Sequence, residues 1–318
     1  MDMIKTGEFE LRRIFADTLR QLMGRNKNVV YLEADLGRAI GTTQLFRQYP
    51  QQAFDIGIME ANMIGAASGM SVKGKIPFVH SFGTFASRRC ADQTFLSGCY
   101  NRANVKIIGS DPGIAAESNG GTHMPLEDMA IYRAFPQMQV IDVADPFLLR
   151  FVLEQAASHY GMQYIRFPRK GKLCYYSSQT EFVPGQAKIL LSGSDVSIFA
   201  CGLGVYEALK AAQLLAAEGI FAEVVDVFTV KPLDVETILK SVHKTRCAVT
   251  VENHNIIGGL GSAVAEALVE HFPVPMRRIG APDCFGEVGT QEFLRKKMHM
   301  DSTDVAAAAH DALSCKQN

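Results

Sequence analysis

The stretch between residues 54 and 93 holds the side chains best suited to chemistry. Glu60 stands where a strand-like segment, residues 55–59, turns into an apolar helix, and its immediate neighbours are mainly apolar. Burial in such surroundings disfavours the charged form of a carboxyl group, which can then share or deliver a proton near neutral pH. On spacing alone a second interpretation stays open, because a glutamate at a helix start also complements the helix dipole.

Two phenylalanines follow in the same stretch. Phe82 and Phe85 lie three residues apart in a turn rich in Gly, Ser and Thr, just after a predicted strand, Ile76 to His80. They suit the wall of a site for a flat ring, although residues at this spacing are also common in a hydrophobic core. The spacing alone leaves both interpretations open.

Other chemical motifs are weak or missing. Gly202-Leu203-Gly204 follows a strand and precedes a helix, as a dinucleotide loop would, but the third glycine is replaced. Gly258-Gly259-Leu260-Gly261 departs from that pattern in the same way, so both segments favour tight turns between strand and helix. The sequence has no P-loop and no G-x-S-x-G elbow, and its eight histidines never pair at metal-ligand spacing.

Composition limits the class of protein. The chain has 318 residues, 47% of them hydrophobic and 20% charged, and a net charge of −1, which gives no electrostatic case for binding nucleic acid or an anionic membrane. Seven cysteines, an odd number without a C-x-x-C pair, indicate reduced thiols in a cytoplasmic protein. No signal peptide and no apolar run of membrane-spanning length are recognised.

Short strands and helices alternate along the chain. This alternation predicts two α/β domains, at about 1–180 and 190–318, each with a mainly parallel sheet. Residues 172–194 are rich in Tyr, Ser, Pro and Gly, and predict a surface connector that contains a hairpin. Apolar periodicity predicts helices at residues 7–25, 60–73 and 92–102, among others.

Several separated motifs, in order, resemble those of the transketolase family, from about residue 8 to residue 312. Those of the pyrimidine-binding domain are Asp35 within EADL, Asp55-Ile56-Gly57-Ile58-Met59-Glu60 with Asn62-Met63, Phe82-Gly83-Thr84-Phe85 ahead of Asp92-Gln93, Gly120-Gly121-Thr122-His123 with Leu126-Glu127-Asp128, and Ile165-Arg166-Phe167-Pro168-Arg169. Those of the family's C-terminal domain are the run from Val251 to Gly261 and Phe285-Gly286-Glu287. The expected fold is therefore a pyrimidine-binding domain followed by a transketolase C-terminal domain.

The resemblance also shows what is missing. Transketolases carry a preceding domain with a G-D-G…N motif that holds Mg²⁺ and the diphosphate of thiamine diphosphate, and no such motif occurs here. The chain is thus similar to the C-terminal subunit of a split transketolase. The resemblance implies a separate N-terminal subunit, which would provide most of the ligands of Mg²⁺. It also implies an α2β2 heterotetramer and no activity of this chain alone.

Family roles carry over to matching residues. Glu60 would hydrogen-bond N1′ of the cofactor's pyrimidine and so activate it, Phe85 would stack on the ring, and Phe82 would line the same pocket. His123 matches a histidine that contacts the donor near its C1 hydroxyl, and Arg169 matches an arginine that binds sugar phosphate. Two further residues are assigned to the cofactor site, Asp35 and Ile58.

Three nearby residues have alternatives. On spacing alone Arg169 is also a surface charge after a strand. Arg166 is the weaker candidate for the phosphate, and His254 is expected to have a structural role within its loop.

The sequence departs from the family pattern around the substrate. Asn119 replaces a carboxylate that touches a donor hydroxyl, Asp111 stands where a histidine is common, and His80 stands where a small residue is common. Asparagine keeps hydrogen bonding but loses the charge. We therefore expect these three residues to affect substrate binding and the donor to differ from xylulose 5-phosphate, for example a modified or branched ketose phosphate.

Two rival functions stay open at this point. The β subunit of a 2-oxoacid dehydrogenase E1 component shares the size, the fold and the cofactor glutamate, but Thr122-His123 followed by Leu126 to Ala130 fits transketolase better. A non-catalytic subunit that kept the fold is the second rival, and the presence of Glu60, Phe85 and His123 argues against it.

Overall fold

Alternating strands and helices form two mainly parallel sheets in the computed structural model, which describes residues 4–316. The predicted fold class is confirmed. The strands are β1 (Lys5–Thr6), β2 (Val29–Glu33), β3 (Ala53–Asp55), β4 (Ile76–Phe82), β5 (Lys106–Ser110), β6 (Gln139–Asp142), β7 (Gln163–Phe167), β8 (Leu173–Cys174), β9 (Lys188–Leu191), β10 (Val196–Ala200), β11 (Ala222–Asp226), β12 (Thr229–Lys231), β13 (Ala248–Asn255) and β14 (Met276–Ala281).

Helices connect these strands. The α-helices are α1 (Leu11–Arg25), α2 (Gly37–Ile40), α3 (Thr43–Gln48), α4 (Glu60–Val72), α5 (Gly83–Ser87), α6 (Ala91–Gln93), α7 (Asp128–Arg133), α8 (Pro146–Ser158), α9 (Gly204–Ala217), α10 (Val235–Thr245), α11 (Leu260–His271), α12 (Gln291–Lys297) and α13 (Ser302–Lys316). Three short 3-10 helices, Arg88–Cys90, Gly113–Asn119 and Gly121–His123, and one π-helix, Thr94–Tyr100, complete the set within residues 4–316.

The first sheet has the order β12-β6-β7-β5-β4-β2-β3 and is parallel except for β12. Side chains alternate between its faces, so that Val29 and Tyr31 pack with α1 and α8 while Val30 and Leu32 pack with α4 and α7. The second sheet has the order β14-β13-β10-β11-β9, and only β9 is antiparallel. A two-stranded sheet pairs β1 with β8.

The carboxyl ends of the first sheet's parallel strands share one edge. β3 lies on one side of β2 and β4 lies on the other, so the direction of winding reverses at β2. Ligands of open α/β sheets bind at such reversals, outside the carboxyl ends of the strands. The residues that follow β2, β3, β4, β5 and β7 therefore meet there.

Three local predictions differ from the structure. No hairpin joins β8 and β9, because β8 pairs with β1 and β9 pairs with β11. The first helix begins at Leu11 instead of residue 7, because the segment before it pairs with β8 and Gly7 donates its backbone N–H to the Lys172 carbonyl (2.6 Å). The predicted helix at 92–102 is a short α-helix that continues as a π-helix and ends at Tyr100.

A buried arginine joins the two sheets. Arg166, on β7, donates to the carboxylates of Asp128 (2.7 Å) and Asp142 (2.8 Å) and to the backbone carbonyl of Asn253 (3.1 Å), and its side chain is fully buried. Burial opposes its charge, yet the two carboxylates together raise the pKa of Arg166 above its ordinary value. The first sheet, α7 and β13 of the second sheet are thus held by one guanidinium.

Close backbone contacts reinforce this junction. Asn253 donates from its side chain to the Pro112 carbonyl (2.8 Å) and accepts from the Ile114 backbone N–H (3.0 Å). A Cβ on Gly121 would lie 2.0 Å from the Gly286 carbonyl oxygen, so the two backbones are in contact. The second domain therefore supports the loop that follows β5.

Two general features of residues 4–316 complete the description. Within that range we find no helix with the length and apolar character needed to cross a membrane. In addition, β12 comes from the predicted second domain but pairs with β6 in the first sheet, so the two domains interlock at that edge.

The Arg166 junction predicts a large loss of stability in Arg166→Met. Two buried carboxylates would lose their shared cation, and removing one partner of a buried ion pair lowers the free energy of unfolding by about 3–5 kcal/mol. Urea unfolding followed by circular dichroism measures this. The control Lys240→Met, which removes an exposed pair with Glu236, should leave the midpoint unchanged. Equal midpoints for the two variants would contradict the assignment.

The contact between Gly121 and Gly286 predicts that Gly121→Ala is destabilising. The new methyl group must displace backbone, and overpacking of this kind lowers stability by about 1–3 kcal/mol. Gly65→Ala is the control, because nothing lies within 4 Å of a Cβ there and alanine favours a helix interior. Thermal unfolding should show a lower midpoint for Gly121→Ala and an equal or higher one for Gly65→Ala.

Candidate functional site

Glu60 begins α4 and is 1% exposed. One of its carboxylate oxygens accepts a hydrogen bond from the Ser81 hydroxyl on β4 (2.9 Å), and the other accepts one from the Arg89 guanidinium (2.8 Å). Both oxygens thus face groups of other elements. A helix-start glutamate that only complements the dipole would not need this burial or these partners.

Three aromatic rings converge beside this carboxylate. The Phe82 and Phe85 centroids are 6.4 Å apart, and the His123 ring lies 6.2 Å from Phe82 and 5.3 Å from Phe85, edge-on to both. Phe82 ends β4 and Phe85 lies in α5, whereas His123 comes from the loop after β5. Folding therefore builds a flat-walled, partly exposed site from residues that are far apart in sequence.

Arginines flank the aromatic rings on both sides. The Arg89 guanidinium carbon lies 4.1 Å from the Phe85 centroid, and that of Arg169 lies 5.0 Å from the Phe82 centroid. Cations at such distances from a ring face are attracted by its quadrupole. A continuous series of side-chain contacts therefore connects Glu60 at one end of the site with Arg169 at the other.

Arg169 and Asp111 form an ion pair at the far end of the site. The Arg169 backbone N–H donates to Asp111 (3.1 Å), and its side-chain Nε donates to the other carboxylate oxygen. Burial raises the pKa of Asp111 above its ordinary value, and the Arg169 charge opposes that rise. The Asp111 carboxylate therefore offsets the charge of the Arg169 guanidinium.

The loop that carries Asn119 and His123 is held from outside the sheet. Asn119 is exposed and precedes Gly120, whose φ of +79° lies in the left-handed region that favours glycine. The Thr122 hydroxyl lies 3.0 Å from His123 Nδ1. Arg88 donates to the Thr122 carbonyl (3.3 Å) and pairs with Glu127 (2.9 Å), which fixes the loop next to α5.

His80 lies behind the site instead of on its wall. Its ring is fully buried, with Nδ1 at 2.9 Å from both oxygens of Glu33 and Nε2 at 3.0 Å from the Ser110 hydroxyl. Glu33 also accepts from the Tyr31 hydroxyl. These contacts join the ends of β2, β4 and β5, so His80 is placed to position the site and does not face the pocket.

Asp35 and Ile58 lie at the same edge of the sheet. Asp35 is exposed, has a φ of +60°, and donates its backbone N–H to Asp55 (3.2 Å). Ile58 is 68% exposed and stands two residues before Glu60. Their side chains point to solvent, where a second protein chain or a ligand can reach them.

Arg166 and His254 have structural surroundings. All the charged contacts of Arg166 belong to the junction described above, and its buried side chain does not reach the site. His254 is fully buried, its Nδ1 lies 2.7 Å from the Asn255 carbonyl, and burial lowers the pKa of His254 to about 4. His254 lies near the end of β13 and not in a loop, and its burial and its contact with the Ala130 backbone N–H (3.4 Å) support a structural role.

Sequence reasoning missed three residues of the site: Arg89, Ser81 and Glu33. A signal for Arg89 was present, because an arginine four positions after Phe85 faces the same side of a helical segment. Ser81 and Glu33 carried no comparable signal, since their roles depend on strand register. Among residues 4–316 no group of three or more His, Cys, Asp or Glu side chains is arranged to hold a metal ion.

Comparisons with known proteins identify both domains. The family model for the transketolase pyrimidine-binding domain matches residues 8–171, and that for the transketolase C-terminal domain matches residues 185–305. The 6-deoxy-6-sulfo-D-fructose transketolase subunit SqwH of Clostridium sp. (strain MSTE9) is 47% identical over 98% of this chain and 97% of its own length.

Two further relatives are similar over most of their length. An apulose-4-phosphate transketolase subunit from Phocaeicola vulgatus is 36% identical over 86% of this chain and 87% of its own. A solved structure described as a split gene transketolase, inactive beta4 tetramer, superposes with a TM-score of 0.88 at 38% identity, covering 98% of this chain and all of that one. With both domains matched in order and along nearly the whole length, the chain belongs to the transketolase family.

Proposed function

We propose that this chain is the C-terminal subunit of a two-subunit transketolase that transfers a two-carbon ketol unit from a ketose to an aldose phosphate. The observation that carries the proposal is the buried Glu60 carboxylate beside the Phe82, Phe85 and His123 rings. A buried carboxylate next to flat aromatic walls is the set of groups that an aminopyrimidine needs. Membership of the family implies dependence on thiamine diphosphate.

The residues of this chain would hold the pyrimidine end of the cofactor. Glu60 hydrogen-bonds the N1′ atom and holds the proton shared with it, Phe85 stacks on the ring, and Phe82, Asp35 and Ile58 complete the surroundings. When bound, thiamine diphosphate would supply the nucleophilic carbon needed for transfer of the two-carbon unit. The proposal assigns its diphosphate and Mg²⁺ to the partner subunit.

An N-terminal transketolase subunit is the proposed partner, in an α2β2 heterotetramer. Ile58 and Met59, which directly precede α4 at the edge of the site, are 68% and 51% exposed. Large apolar side chains exposed next to a half-open site suit a protein interface. The relatives named as subunits support a multi-subunit assembly.

All seven cysteines, which lie within the described residues, are free thiols, and this supports the expected cytoplasmic location.

The substrate would lie between His123 and Arg169. His123 faces the donor near C1, exposed Asn119 offers an uncharged hydrogen-bonding side chain, and Arg169 reaches the anionic end of the sugar. Asp111 pairs with Arg169 and offsets its positive charge, and His80 positions this region through Glu33 and Ser110. Of these five residues, His80 and Asp111 act through others in this proposal.

We further propose a sulfonated ketose, 6-deoxy-6-sulfofructose, as the donor. The 47% identical relative carries that substrate in its name. A sulfonate bears one negative charge and a phosphate close to two at neutral pH, and an arginine already paired with Asp111 matches the smaller charge better. Cleavage of the C2–C3 bond would leave a four-carbon sulfonated aldose and pass carbons 1 and 2 to the acceptor aldehyde.

The rival interpretations are less favoured. Both family models are transketolase domains and the relatives described above are transketolase subunits, and this argues against the β subunit of a 2-oxoacid dehydrogenase. A non-catalytic subunit would have no reason to keep a buried carboxylate opposite an aromatic site. Assays of ketol transfer and of 2-oxoacid decarboxylation separate these alternatives.

Glu60→Ala should lower kcat of the reconstituted complex by about 10²–10⁴-fold, because a positioned proton-handling group contributes that much. The matched control Glu154→Ala removes an exposed glutamate on α8 and should leave kcat unchanged. Co-elution with the partner and circular dichroism verify assembly and folding of both. Full activity of Glu60→Ala in an assembled complex would favour the non-catalytic rival.

Donor preference is tested with a panel at a fixed acceptor. The reconstituted complex should show a kcat/KM for 6-deoxy-6-sulfofructose at least about tenfold above those for fructose 6-phosphate and xylulose 5-phosphate, a difference of about 1.4 kcal/mol. Release of the four-carbon sulfonated aldose is followed by mass spectrometry. Equal or better turnover of xylulose 5-phosphate would refute the sulfonated donor but leave the transketolase assignment intact.

A further inference from the structure

Arg89 lies between the two groups that matter most at the cofactor end of the site. Its guanidinium donates to Glu60 at 2.8 Å and at the same time stacks 4.1 Å from the Phe85 ring centroid. The Glu60 side chain is almost fully buried, whereas 43% of the Arg89 side chain is exposed. A half-exposed cation thus covers a buried anion.

The same two contacts are required of the pyrimidine. Under the proposed function, a flat aromatic ring stacks on Phe85 while one of its ring nitrogens bonds Glu60. A guanidinium is also planar, stacks on aromatic rings and presents N–H donors along its edge. One side chain in this structure therefore makes both contacts that the ring would make, and the two groups cannot occupy that space together.

We propose that Arg89 is a placeholder for the cofactor's pyrimidine: it covers Glu60 and Phe85 until the ring displaces it. This inference rests on the proposed function. The device makes physical sense, because a buried carboxylate without a partner is strongly unfavourable. Arg89 supplies a cationic partner for Glu60 beside the Ser81 hydroxyl, and its exposed side chain has solvent next to it into which it can turn.

The neighbouring arginine shows that this placement is specific. Arg88 points away from Glu60, donating to the Thr122 carbonyl and pairing with Glu127. Arg169 also lies over a phenylalanine, but it is 14% exposed and bound to the buried Asp111, so it has no comparable freedom to leave. Among these three arginines, Arg89 alone combines a contact to Glu60, a stack on Phe85 and a substantially exposed side chain.

A placeholder lowers the apparent affinity for the cofactor, because only the fraction of molecules with Arg89 displaced can bind. Arg89→Met removes the cation and the donors but keeps a flexible apolar side chain. In the assembled complex with the N-terminal subunit, we expect thiamine diphosphate to bind about five- to tenfold more tightly, and to associate faster. Isothermal titration calorimetry and stopped-flow circular dichroism measure the two quantities.

A placeholder is identified when the same substitution lowers the melting temperature of the subunit and raises the cofactor affinity of the complex. The subunit alone should melt at a lower temperature in Arg89→Met, since Glu60 loses its only cationic partner among the described contacts and keeps the Ser81 hydroxyl, while cofactor affinity of the complex rises. Arg150→Met removes an exposed arginine on α8 and is the control, which should leave cofactor affinity unchanged. Should Arg89→Met fail to fold, Arg89→Lys carries the test, because it keeps the cation but loses the planar stack and should also bind cofactor more tightly.

The outcomes separate this inference from the proposed function. Unchanged or weaker cofactor binding in the Arg89 variants, with normal binding by the unsubstituted complex, would overturn the placeholder and identify Arg89 as a structural residue or a cofactor ligand. Failure of the unsubstituted complex to bind thiamine diphosphate at all would instead overturn the proposed function.

Discussion

The whole molecule depends on the burial of Arg166. Its guanidinium has no access to solvent and therefore must find anions and carbonyls inside the protein, which it does on α7, on β6 and on β13. Those partners fix the second domain against the first. Because α7 follows directly on the loop that carries His123, the same charge also determines where that loop lies relative to the sheet edge.

A second buried charge determines the chemistry. Glu60 is held by Ser81 and by Arg89, and Glu33 is held by His80 and Tyr31, so two carboxylates lie inside the same edge of the sheet with different partners. Glu33 is enclosed by groups that also pack against the core. On one side, Glu60 is covered by nothing but the partly exposed side chain of Arg89. This difference makes Glu33 a structural anion and leaves Glu60 accessible to a ligand.

Most of the secondary structure was predictable because strands and helices of an α/β protein have strong local signals. The helix predicted at residues 60–73 is α4, and the strand predicted from Ile76 begins at that residue and ends two residues later than predicted, at Phe82. Errors occurred where a long-range contact decides the local structure. β1 pairs with β8, and β12 crosses to the first sheet, and neither partner is adjacent in sequence. Likewise, the burial of His80 follows from its register opposite Glu33.

The sequence alone determined the family, the order of the two domains and the residue types at the site, because these are written in ordered motifs from Asp35 to Glu287. On spacing alone, Glu60 was as well explained by a helix dipole as by chemistry. Only the tertiary structure showed that its carboxylate is buried, lies beside three aromatic rings and is covered by Arg89. The physical reason is that burial and charge pairing depend on which strand ends meet at one edge of the sheet, and a linear pattern does not contain that information.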